Sequence, residues 1–321
     1  MPLVKLGRLR GKSRVRNWVS ETRLGPEHII MPYFVREGRN VNEPIPSMPG
    51  LSRLSVENLL PDIRKARGIK SVLLFGIPKA KDESGTTAYK KNGVIQKAIK
   101  AVKAEFGDLI VITDVCLCAY TTHGHCGIVK KNTGDAVDTD ATLKTLTKIA
   151  VSHAEAGADF VAPSAMMDGE VKAIREALDK KGFKNTGILA YSAKYASAFY
   201  GPFRDVAGSM PRFGDRKAYQ MDYRNSNEAM REIAQDIEEG ADIVMVKPAL
   251  SSLDIIYRAK QKFDVPLCAY NVSGEYSMIK NLANGDKTRE KNLILEVLTS
   301  IKRSGADFIV TYFGKEVLKW L

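Results

Sequence analysis

Two kinds of hydrophobic pattern alternate along this chain. Short apolar or β-branched runs have the length of buried strands, and between most of them apolar residues recur at three- and four-residue steps, as in helices. The eight predicted strands are His28–Val35, Ser71–Ile77, Leu109–Cys116, Asp159–Ala165, Gly187–Ser192, Asp242–Pro248, Pro266–Val272 and Phe308–Phe313. The predicted helices include Val94–Phe106, Thr142–Ala156, Glu170–Lys180, Glu228–Glu239 and Leu293–Arg303. Asn225 and Glu228 predict a capping box at the start of one helix.

A short repeat marks three junctions between helix and strand. The tripeptide Gly-Ala-Asp begins at Gly157, Gly240 and Gly305, where the fourth, sixth and eighth predicted strands open. Recurrence at even-numbered strands suits a closed parallel barrel. An open doubly wound sheet is the alternative, but no Gly-x-Gly-x-x-Gly turn follows the first strand. We therefore predict an α/β fold, a (β/α)8 TIM barrel, as one domain over residues 1–321 with an N-terminal arm at about 1–23.

Composition and charge narrow the function classes. The chain is 44% hydrophobic and has no apolar run of the ~18 residues that a membrane span needs, nor the apolar core of a signal peptide, so we expect a cytoplasmic protein without a membrane partner. The formal net charge is +12, and seven basic residues against one acid fall in the first 23 positions. This basic arm suits nucleic acid or a neighbouring subunit; the lack of an aromatic-rich stacking surface weakens the nucleic-acid interpretation.

Three of the four cysteines lie within eleven residues. Cys116, Cys118 and Cys126 have the spacing Cys-x-Cys-x7-Cys, with His123 and His125 inside it. Thiolates select zinc or another soft ion, so this loop predicts a metal site, and three thiolates without an obvious fourth ligand leave a position for water or substrate. Half-buried small hydrophobes are the alternative, and that interpretation suits the isolated Cys268 better.

The predicted barrel indicates which polar residues are candidates for an active site, because active sites in this fold lie where strands end and the following loops begin. Polar side chains follow six of the predicted strands and should meet at one rim. They are Asp114, Ser164, Asp168, Lys194, Lys247, Ser273 and Tyr312. Singly, each could be a turn, cap or core residue. Their common placement favours a functional site.

Two lysines end neighbouring predicted strands. Lys247 follows an apolar run that should be buried on both faces, where a charged lysine is costly unless it is paired or functional. Lys194 would point into the same mouth. Two ammonium groups held close favour loss of a proton from one, which gives the nucleophilic amine that a Schiff base requires. The alternative is that both side chains snorkel to the rim.

The stretch from Lys194 to about Arg224 shows little helical or strand pattern. Long irregular segments inside compact domains are usually functional or disordered. This one carries Arg204 and Arg216, and guanidinium groups can grip a carboxylate with two hydrogen bonds. We predict a lid that brings cations over the site; surface salt bridging is the competing interpretation.

Several ordered motifs resemble those of one family. They are Asp114-Val-Cys-Leu-Cys118, His123-Gly-His-Cys126-Gly, Ala162-Pro-Ser-Ala-Met-Met-Asp-Gly169, Tyr191-Ser-Ala-Lys194, Phe199-Tyr-Gly-Pro-Phe-Arg-Asp205, Phe213-Gly-Asp-Arg-Lys217, Met245-Val-Lys-Pro-Ala249 and Val272-Ser-Gly-Glu275. Together they resemble the porphobilinogen synthase, or δ-aminolevulinate dehydratase, family from about Arg16 to Leu321. The resemblance implies condensation of two 5-aminolevulinate molecules into porphobilinogen, with loss of two waters, for tetrapyrrole and heme synthesis.

The resemblance also implies roles for single residues. Lys247 would form a Schiff base with the substrate that becomes the propionate side, and Lys194 with the one that becomes the acetate side. Asp114 and Ser164 would orient groups or relay protons. The implied substrate-binding set is Ser273 and Tyr312 for one carboxylate, Arg204, Arg216 and Gln220 for the other, and Tyr200 beside them. The implied zinc ligands are Cys116, Cys118 and Cys126, without either histidine; relatives that lack these cysteines depend on magnesium instead.

Further implications concern regulation and assembly. Glu232 matches a position that binds an activating magnesium in some relatives, although a solvated helix glutamate is as good an interpretation. The basic arm resembles one that embraces a neighbouring subunit and supports a homo-octamer. Two departures stand out: Ser252 where a tyrosine is usual, and Tyr223-Arg224 at the end of the lid. Neither removes a catalytic group.

Two other functions remain open on the residues alone. A lysine Schiff-base aldolase on the same barrel would need one lysine and no metal. A basic nucleic-acid binder would depend on the arm and on salt concentration.

Overall fold

Eight parallel strands close into a barrel in the computed structural model, which describes residues 4–130 and 137–321. The strands are β1 (Ile29–Arg36), β2 (Ser71–Ile77), β3 (Ile110–Val115), β4 (Phe160–Pro163), β5 (Gly187–Lys194), β6 (Ile243–Lys247), β7 (Leu267–Asn271) and β8 (Phe308–Thr311). Each pairs with the next, and β8 pairs with β1 through Ile29 and Ile309. The predicted (β/α)8 barrel is confirmed, and every predicted strand end lies within two residues of the observed one.

Helices surround the barrel. Those within the described residues are α1 (Ser13–Trp18), α2 (Val56–Lys65), α3 (Val94–Glu105), α4 (Thr139–Ala156), α5 (Glu170–Lys180), α6 (Gly201–Ala207), α7 (Ser226–Glu238), α8 (Leu253–Lys262), α9 (Ser273–Ala283), α10 (Lys287–Arg303) and α11 (Gly314–Val317). α4 and α10 begin before their predicted starts, because the side chains of Asp138 and Asp286 cap polar first turns that carry no apolar period.

The start of α7 differs from the predicted capping box. Asn225 is the residue before the helix, as expected, but its side chain makes no bond to the helix backbone. Its amide nitrogen instead donates to Glu228 Oε2 at 3.0 Å. The two side chains therefore satisfy each other, and the reciprocal backbone bonds of a capping box are absent.

Both faces of the barrel strands are buried, which explains their nearly continuous apolar runs. All seven residues of β2 are buried. On its outer side Val72 and Leu74 pack with Ile95 and Ile99 of α3 in one apolar cluster. A second, larger cluster extends around the rest of the barrel and its helices.

The Gly-Ala-Asp repeat forms clamps at the amino ends of the strands. Its glycines have φ angles of +104°, +103° and +123°, a region that only glycine adopts readily. Asp159 donates its backbone N–H to Val111 O at 3.0 Å, and its carboxylate accepts from Val111 N at 2.8 Å. Asp242 and Asp307 repeat this arrangement on Ile188 and Leu267. Each even-numbered strand of this set is thus fixed to the strand before it.

Short elements extend the barrel. Strands Asn42–Pro44 and Ser52–Leu54 form an antiparallel pair whose second member lies parallel to β1. A second antiparallel pair joins Ile128–Val129 to Val137–Asp138. Residues 1–3 of the predicted arm lie outside the described residues; the following part contains a 3-10 turn, Leu6–Leu9, and α1, both without buried residues. Within the described ranges, no helix combines the length and apolarity needed to cross a membrane.

The segment after β5 is more ordered than predicted. A 3-10 turn, Ala198–Tyr200, leads into α6, whose first turn contains Pro202. Proline is favoured there because its fixed φ suits a helix start. Gly208 ends the helix with a φ of +54°. The prediction of little helical pattern is therefore wrong for residues 201–207.

Candidate active site

The two lysines are neighbours at the carboxyl ends of β5 and β6. Lys194 and Lys247 are register partners across the strand pair. Between the pairs Ala190–Val244 and Ala193–Val246, β5 contains one residue more than β6, which is a β-bulge. The bulge reverses the alternation of side chains, so Tyr191 and Lys194 face the same side although they are three positions apart. Both Nζ atoms consequently lie near the Tyr191 ring, 5.4 and 5.1 Å from its centroid.

Lys247 is enclosed by aromatic rings. Its Nζ lies 4.1 Å from the ring centroid of Tyr270, 5.1 Å from that of Tyr200 and 5.3 Å from that of Phe203. Burial, and after it the charge of Lys194, lower the pKa of Lys247 to about 7. A large share of this side chain is therefore a neutral, nucleophilic amine near neutral pH.

Asp114, at the end of β3, provides a carboxyl group beside both lysines. Burial raises the pKa of Asp114 to about 6, against the opposing effects of the Ser164 hydrogen bond and the lysine charges. Ser164 Oγ donates to Asp114 Oδ1 at 2.7 Å, and Lys194 Nζ donates to the backbone oxygen of Ser164. A group with such a pKa can give or take a proton near neutrality.

The cysteine loop follows β3. Cys116, Cys118 and Cys126 are buried, and their sulfur atoms lie within 4.8 Å of one another. Hydrogen bonds from the other two thiols hold the pKa of Cys126 well below its usual range, and the nearby charges of Arg216 and Lys194 lower it further. Three sulfurs at this spacing can hold a metal ion that prefers soft ligands.

Neither histidine of the loop belongs to this sulfur cluster. His123 accepts from His125 N at 3.1 Å through Nδ1, and its Nε2 pairs with Glu83 O at 3.2 Å. The ring of His125 contacts Tyr219 Oη and Phe213 O, each at 3.1 Å. These rings therefore brace the loop.

The segment after α6 rests on the cysteine loop. Arg216 donates to Gly124 O at 2.8 Å, and Arg212 N donates to His123 O at 3.1 Å. Gly124 has a φ of +75°, and a Cβ there would lie 2.4 Å from Met210 O. Only glycine allows this close approach. Residues 195–222, which we call the lid, thus cover the metal site.

Buried polar atoms of the lid lack hydrogen-bond partners. Within the described part of the chain, Arg204 Nε, Arg216 Nε and both side-chain amide atoms of Gln220 have none. Buried polar groups are almost always paired, so an unpaired group indicates a ligand position. Guanidinium and amide donors together suit a carboxylate.

The remaining predicted binding residues lie around Lys247. Tyr312 Oη shares a 2.9 Å hydrogen bond with Tyr270 Oη. Ser273 Oγ accepts from Phe203 N at 3.1 Å and donates to Phe199 O at 3.2 Å, and Tyr200 Oη donates to Lys247 O at 3.1 Å. The lid contacts join its start to β6 and α9, and the tyrosine pair joins β7 to the end of β8.

Asp168 does not join the lysines as predicted. It is exposed and lines, with Glu232 of α7, a separate cavity of about 410 Å³. Burial raises the pKa of Glu232, and the charge of Asp168 raises it further. Asp168 and Glu232 also line a second cavity, of about 440 Å³, with Gln220 of the lid.

The two departures in sequence share another cavity. Ser252 is buried in a turn before α8 and lines, with Tyr223, Arg224 and Pro248, a space of about 550 Å³ outside the barrel. Tyr223 is 74% exposed.

Sequence patterning did not single out three residues that shape the site. Tyr191 would face away from Lys194 in a regular strand, and only the bulge brings it inward. Tyr270 looks like an ordinary core aromatic of β7. Glu275 accepts from Leu250 N at 2.8 Å and Asn271 Nδ2 at 2.7 Å, which anchors the turn after Lys247 to β7. Of the three, only Glu275 had a signal in the sequence, its place in the motif Val272-Ser-Gly-Glu275.

The fold and the site define a barrel enzyme whose mouth carries paired lysines beside a cysteine metal site. The profile of the family described as delta-aminolevulinic acid dehydratase matches residues 4–320. The chain belongs to this family of hydro-lyases, also called porphobilinogen synthases. Similar proteins include the dehydratase of Archaeoglobus fulgidus, 56% identical over 100% of this chain and 98% of that protein, and that of Bacillus subtilis, 52% identical over 98% and 97%.

A solved structure is similar throughout. The Toxoplasma gondii delta-aminolevulinic acid dehydratase, in complex with its reaction product porphobilinogen, superposes with a TM-score of 0.96. It is 45% identical and the match covers 100% of this chain and 92% of that one. Both the barrel and its closure are therefore shared.

Proposed function

We propose that this chain condenses two 5-aminolevulinate molecules into porphobilinogen through Schiff bases on Lys247 and Lys194. The observation that carries this proposal is the register pairing of the two lysines beside one carboxyl group and three thiols. Family membership supports the same reaction. A single-lysine aldolase would leave the second lysine and the sulfur cluster without a role.

The two lysines account for the two waters. Each amine attacks a substrate ketone and, with two proton transfers, its nitrogen replaces the ketone oxygen, which leaves as water. Lys247, whose pKa is lowered to about 7, is the amine prepared to react first. Formation of the carbon–carbon bond and of the ring carbon–nitrogen bond then returns both lysines as free amines. We assign the propionate-side substrate to Lys247 and the acetate-side substrate to Lys194.

Asp114 and Ser164 serve the proton transfers. The carboxyl group of Asp114, with a pKa of about 6, can donate to the departing hydroxyl and take a proton from substrate carbon. Ser164 fixes its orientation through the 2.7 Å hydrogen bond.

Cys116, Cys118 and Cys126 are the proposed zinc ligands. Three thiolates suit zinc and leave one coordination position for substrate or water. When bound there, zinc supplies a Lewis acid that holds and polarises a substrate group. The Arg216 guanidinium near these sulfurs offsets part of their negative charge.

Substrate carboxylates have two proposed positions. Arg204, Arg216 and Gln220 would bind one, since their buried polar atoms lack partners within the described chain. Ser273 and Tyr312 would bind the other with their hydroxyls. Tyr200 closes the space between the two positions, with its ring 6.0 Å from the Arg204 guanidinium carbon.

Regulation by a second ion is part of the proposal. Glu232 would bind an activating magnesium, because magnesium prefers carboxylate oxygens and Glu232 lines an acidic cavity with Asp168. Stimulation by magnesium should disappear in Glu232→Gln; undiminished stimulation would rule this position out.

Assembly and location follow the same reasoning. Apolar side chains of the described arm are exposed, with Val4 at 77%, Leu6 at 72% and Trp18 at 79%, which supports burial against a neighbouring subunit. We propose a homo-octamer in which residues 1–23 form the arm of the single barrel domain. Native mass spectrometry tests this, and an arm-deleted chain that still assembles as an octamer would contradict it. Four free thiols favour the cytoplasm.

Two measurements test the function. Zinc content and porphobilinogen formation should be measured before and after chelation, with activity expected to fall and return with zinc. Borohydride should trap 5-aminolevulinate on Lys247. An active Lys247→Ala variant, or full activity after complete zinc removal, would refute the proposal.

A further inference from the structure

The carboxyl-terminal end of α6 is held by a cation from outside the lid. Helix ends leave their last carbonyls without helical partners. Arg53 donates through Nε to Val206 O at 2.9 Å and through Nη2 to Asp205 O at 3.2 Å. Arg53 lies in Ser52–Leu54, the short strand beside β1. The strand pair outside the barrel thus delivers a guanidinium to the lid.

A second cation reaches the same helix end from the loop after β2. Lys81 Nζ donates to Gly208 O at 2.7 Å and to Ala207 O at 3.3 Å. Together Arg53 and Lys81 satisfy four successive carbonyls, those of residues 205–208. Positive charge is favoured at this end of a helix, because the helix dipole is negative there.

The contacts are more than a surface ion pair. Arg53 Nη1 also contacts Glu43 Oε2 at 3.4 Å, but its other two donors point at the helix carbonyls. The Lys81 side chain is half-buried. Both residues lie more than a hundred positions from α6 in sequence, so their convergence is a property of the folded chain.

The anchored turn carries a proposed substrate ligand. Arg204 lies in the last turn of α6, and its backbone oxygen accepts from Ser209 N at 3.0 Å. Its side-chain Nε has no partner among the described residues. Arg204 Nη2 donates to Ser197 O at 3.5 Å, so the fixed helix end presents a guanidinium whose Nε remains available.

We propose that Arg53 and Lys81 are positioning residues that hold the lid closed and place Arg204 for the substrate carboxylate. This inference rests on the proposed function for its substrate. The two cations touch no reacting group. They lower the entropy that binding must otherwise remove from the lid.

Kinetics and hydrogen exchange test the inference in Arg53→Gln, Lys81→Met and the double variant. The KM for 5-aminolevulinate should rise about tenfold in the double variant, with kcat changed far less, since the lost bonds orient a binding group. Exchange at the amides of Gly208 and Ser209, which bond to Asp205 O and Arg204 O, should become faster. Arg53→Lys should recover part of the effect. Lys79→Met, an exposed lysine two residues from Lys81, is the matched control.

Each outcome decides between roles. Unchanged KM and unchanged exchange in the double variant would overturn the inference. So would a uniform loss of kcat with a lowered melting temperature and unchanged local exchange, because that indicates a role in overall folding. If the unaltered protein makes no porphobilinogen, the proposed function fails, yet exchange at Gly208 and Ser209 still tests whether the cations hold the lid.

Discussion

Replacing Lys194 by methionine removes the ammonium group beside Lys247 and should raise the pKa of Lys247 from about 7. Burial is the larger cause of the lowered pKa, so the new value should remain below the ordinary 10.5. Methionine keeps most of the volume of the lysine stem. The change therefore separates the charge effect from the packing around Tyr191.

The magnitude follows from the geometry. The two Nζ atoms lie 5.4 and 5.1 Å from the Tyr191 ring centroid, so they are at most 10.5 Å apart, the sum of these distances. With an effective dielectric constant of about 20, two unit charges at this separation repel by at least about 1.5 kcal/mol, or about one pH unit. The full difference between 10.5 and about 7 corresponds to roughly 5 kcal/mol, and it enriches the neutral amine at pH 7 on the order of a thousandfold.

Trapping of the first Schiff base measures this pKa directly. The protein is mixed with 5-aminolevulinate at pH values on both sides of neutrality, reduced with cyanoborohydride, digested and analysed by mass spectrometry for modified Lys247. The amine fraction rises as pH rises through the pKa, so the yield should have its midpoint near pH 7. In Lys194→Met the midpoint should move upward by about one pH unit. Lys180→Met, an exposed lysine of α5, should leave it unchanged.

Two results would refute the reasoning. A midpoint near 10 in the unaltered protein would mean that burial and aromatic enclosure do not favour the neutral amine. An unmoved midpoint in Lys194→Met would mean that the two ammonium groups do not interact, although their strands pair in register. The assay needs only the first Schiff base, so loss of overall turnover in the variant does not affect it.

Three further predictions concern the metal loop, the lid and the barrel base. Cys118→Ser should lower bound zinc, measured by elemental analysis, and lower porphobilinogen formation by about a hundredfold, since loss of a group that merely supports a metal ligand already costs about 10–100-fold; retained zinc and activity would contradict the assignment. Gly124→Ala should raise KM and lower the melting temperature, because its Cβ would meet Met210 O at 2.4 Å and its φ of +75° strains an alanine; an unchanged KM would refute close lid contact. Asp307→Ala should destabilise the fold by about 1–3 kcal/mol in urea unfolding through loss of its bond to Leu267 N, with kcat unchanged at moderate temperature. Unaltered stability would mean that this hydrogen bond does not stabilise the barrel.

The sequence predicted the barrel well because strands buried on both faces read as apolar runs. The Gly-Ala-Asp repeat located three junctions for a local reason: a left-handed glycine followed by a carboxylate that bonds to the neighbouring strand. The lid helix α6 was missed because Gly201 and Pro202 are usually helix breakers, whereas proline in the first turn favours a helix. The same two residue types can therefore end a helix or begin one, and the sequence pattern alone does not decide between these roles.

The candidate site shows where sequence reasoning ends. Lys194 and Lys247 were recognised because each ends an apolar strand. Tyr191 was not, since a bulge cannot be inferred from one strand alone. Arg53 and Lys81 reach α6 through contacts between distant parts of the chain, and no local pattern marks them. Asp168 was misplaced because the direction of a loop depends on tertiary packing.

The extra residue in β5 decides which face of the strand its later side chains occupy. In an evenly alternating strand, Tyr191 and Lys194 occupy opposite faces, one toward the barrel axis and the other toward the helices. With one added residue, the side chains of Tyr191 and Lys194 face the same side, and Lys194 remains the register partner of Lys247. The proposed binding of two carbonyl substrates side by side therefore depends on the number of residues in β5 as much as on their identities. A one-residue deletion within β5 would therefore disturb the site even if every active-site side chain were kept.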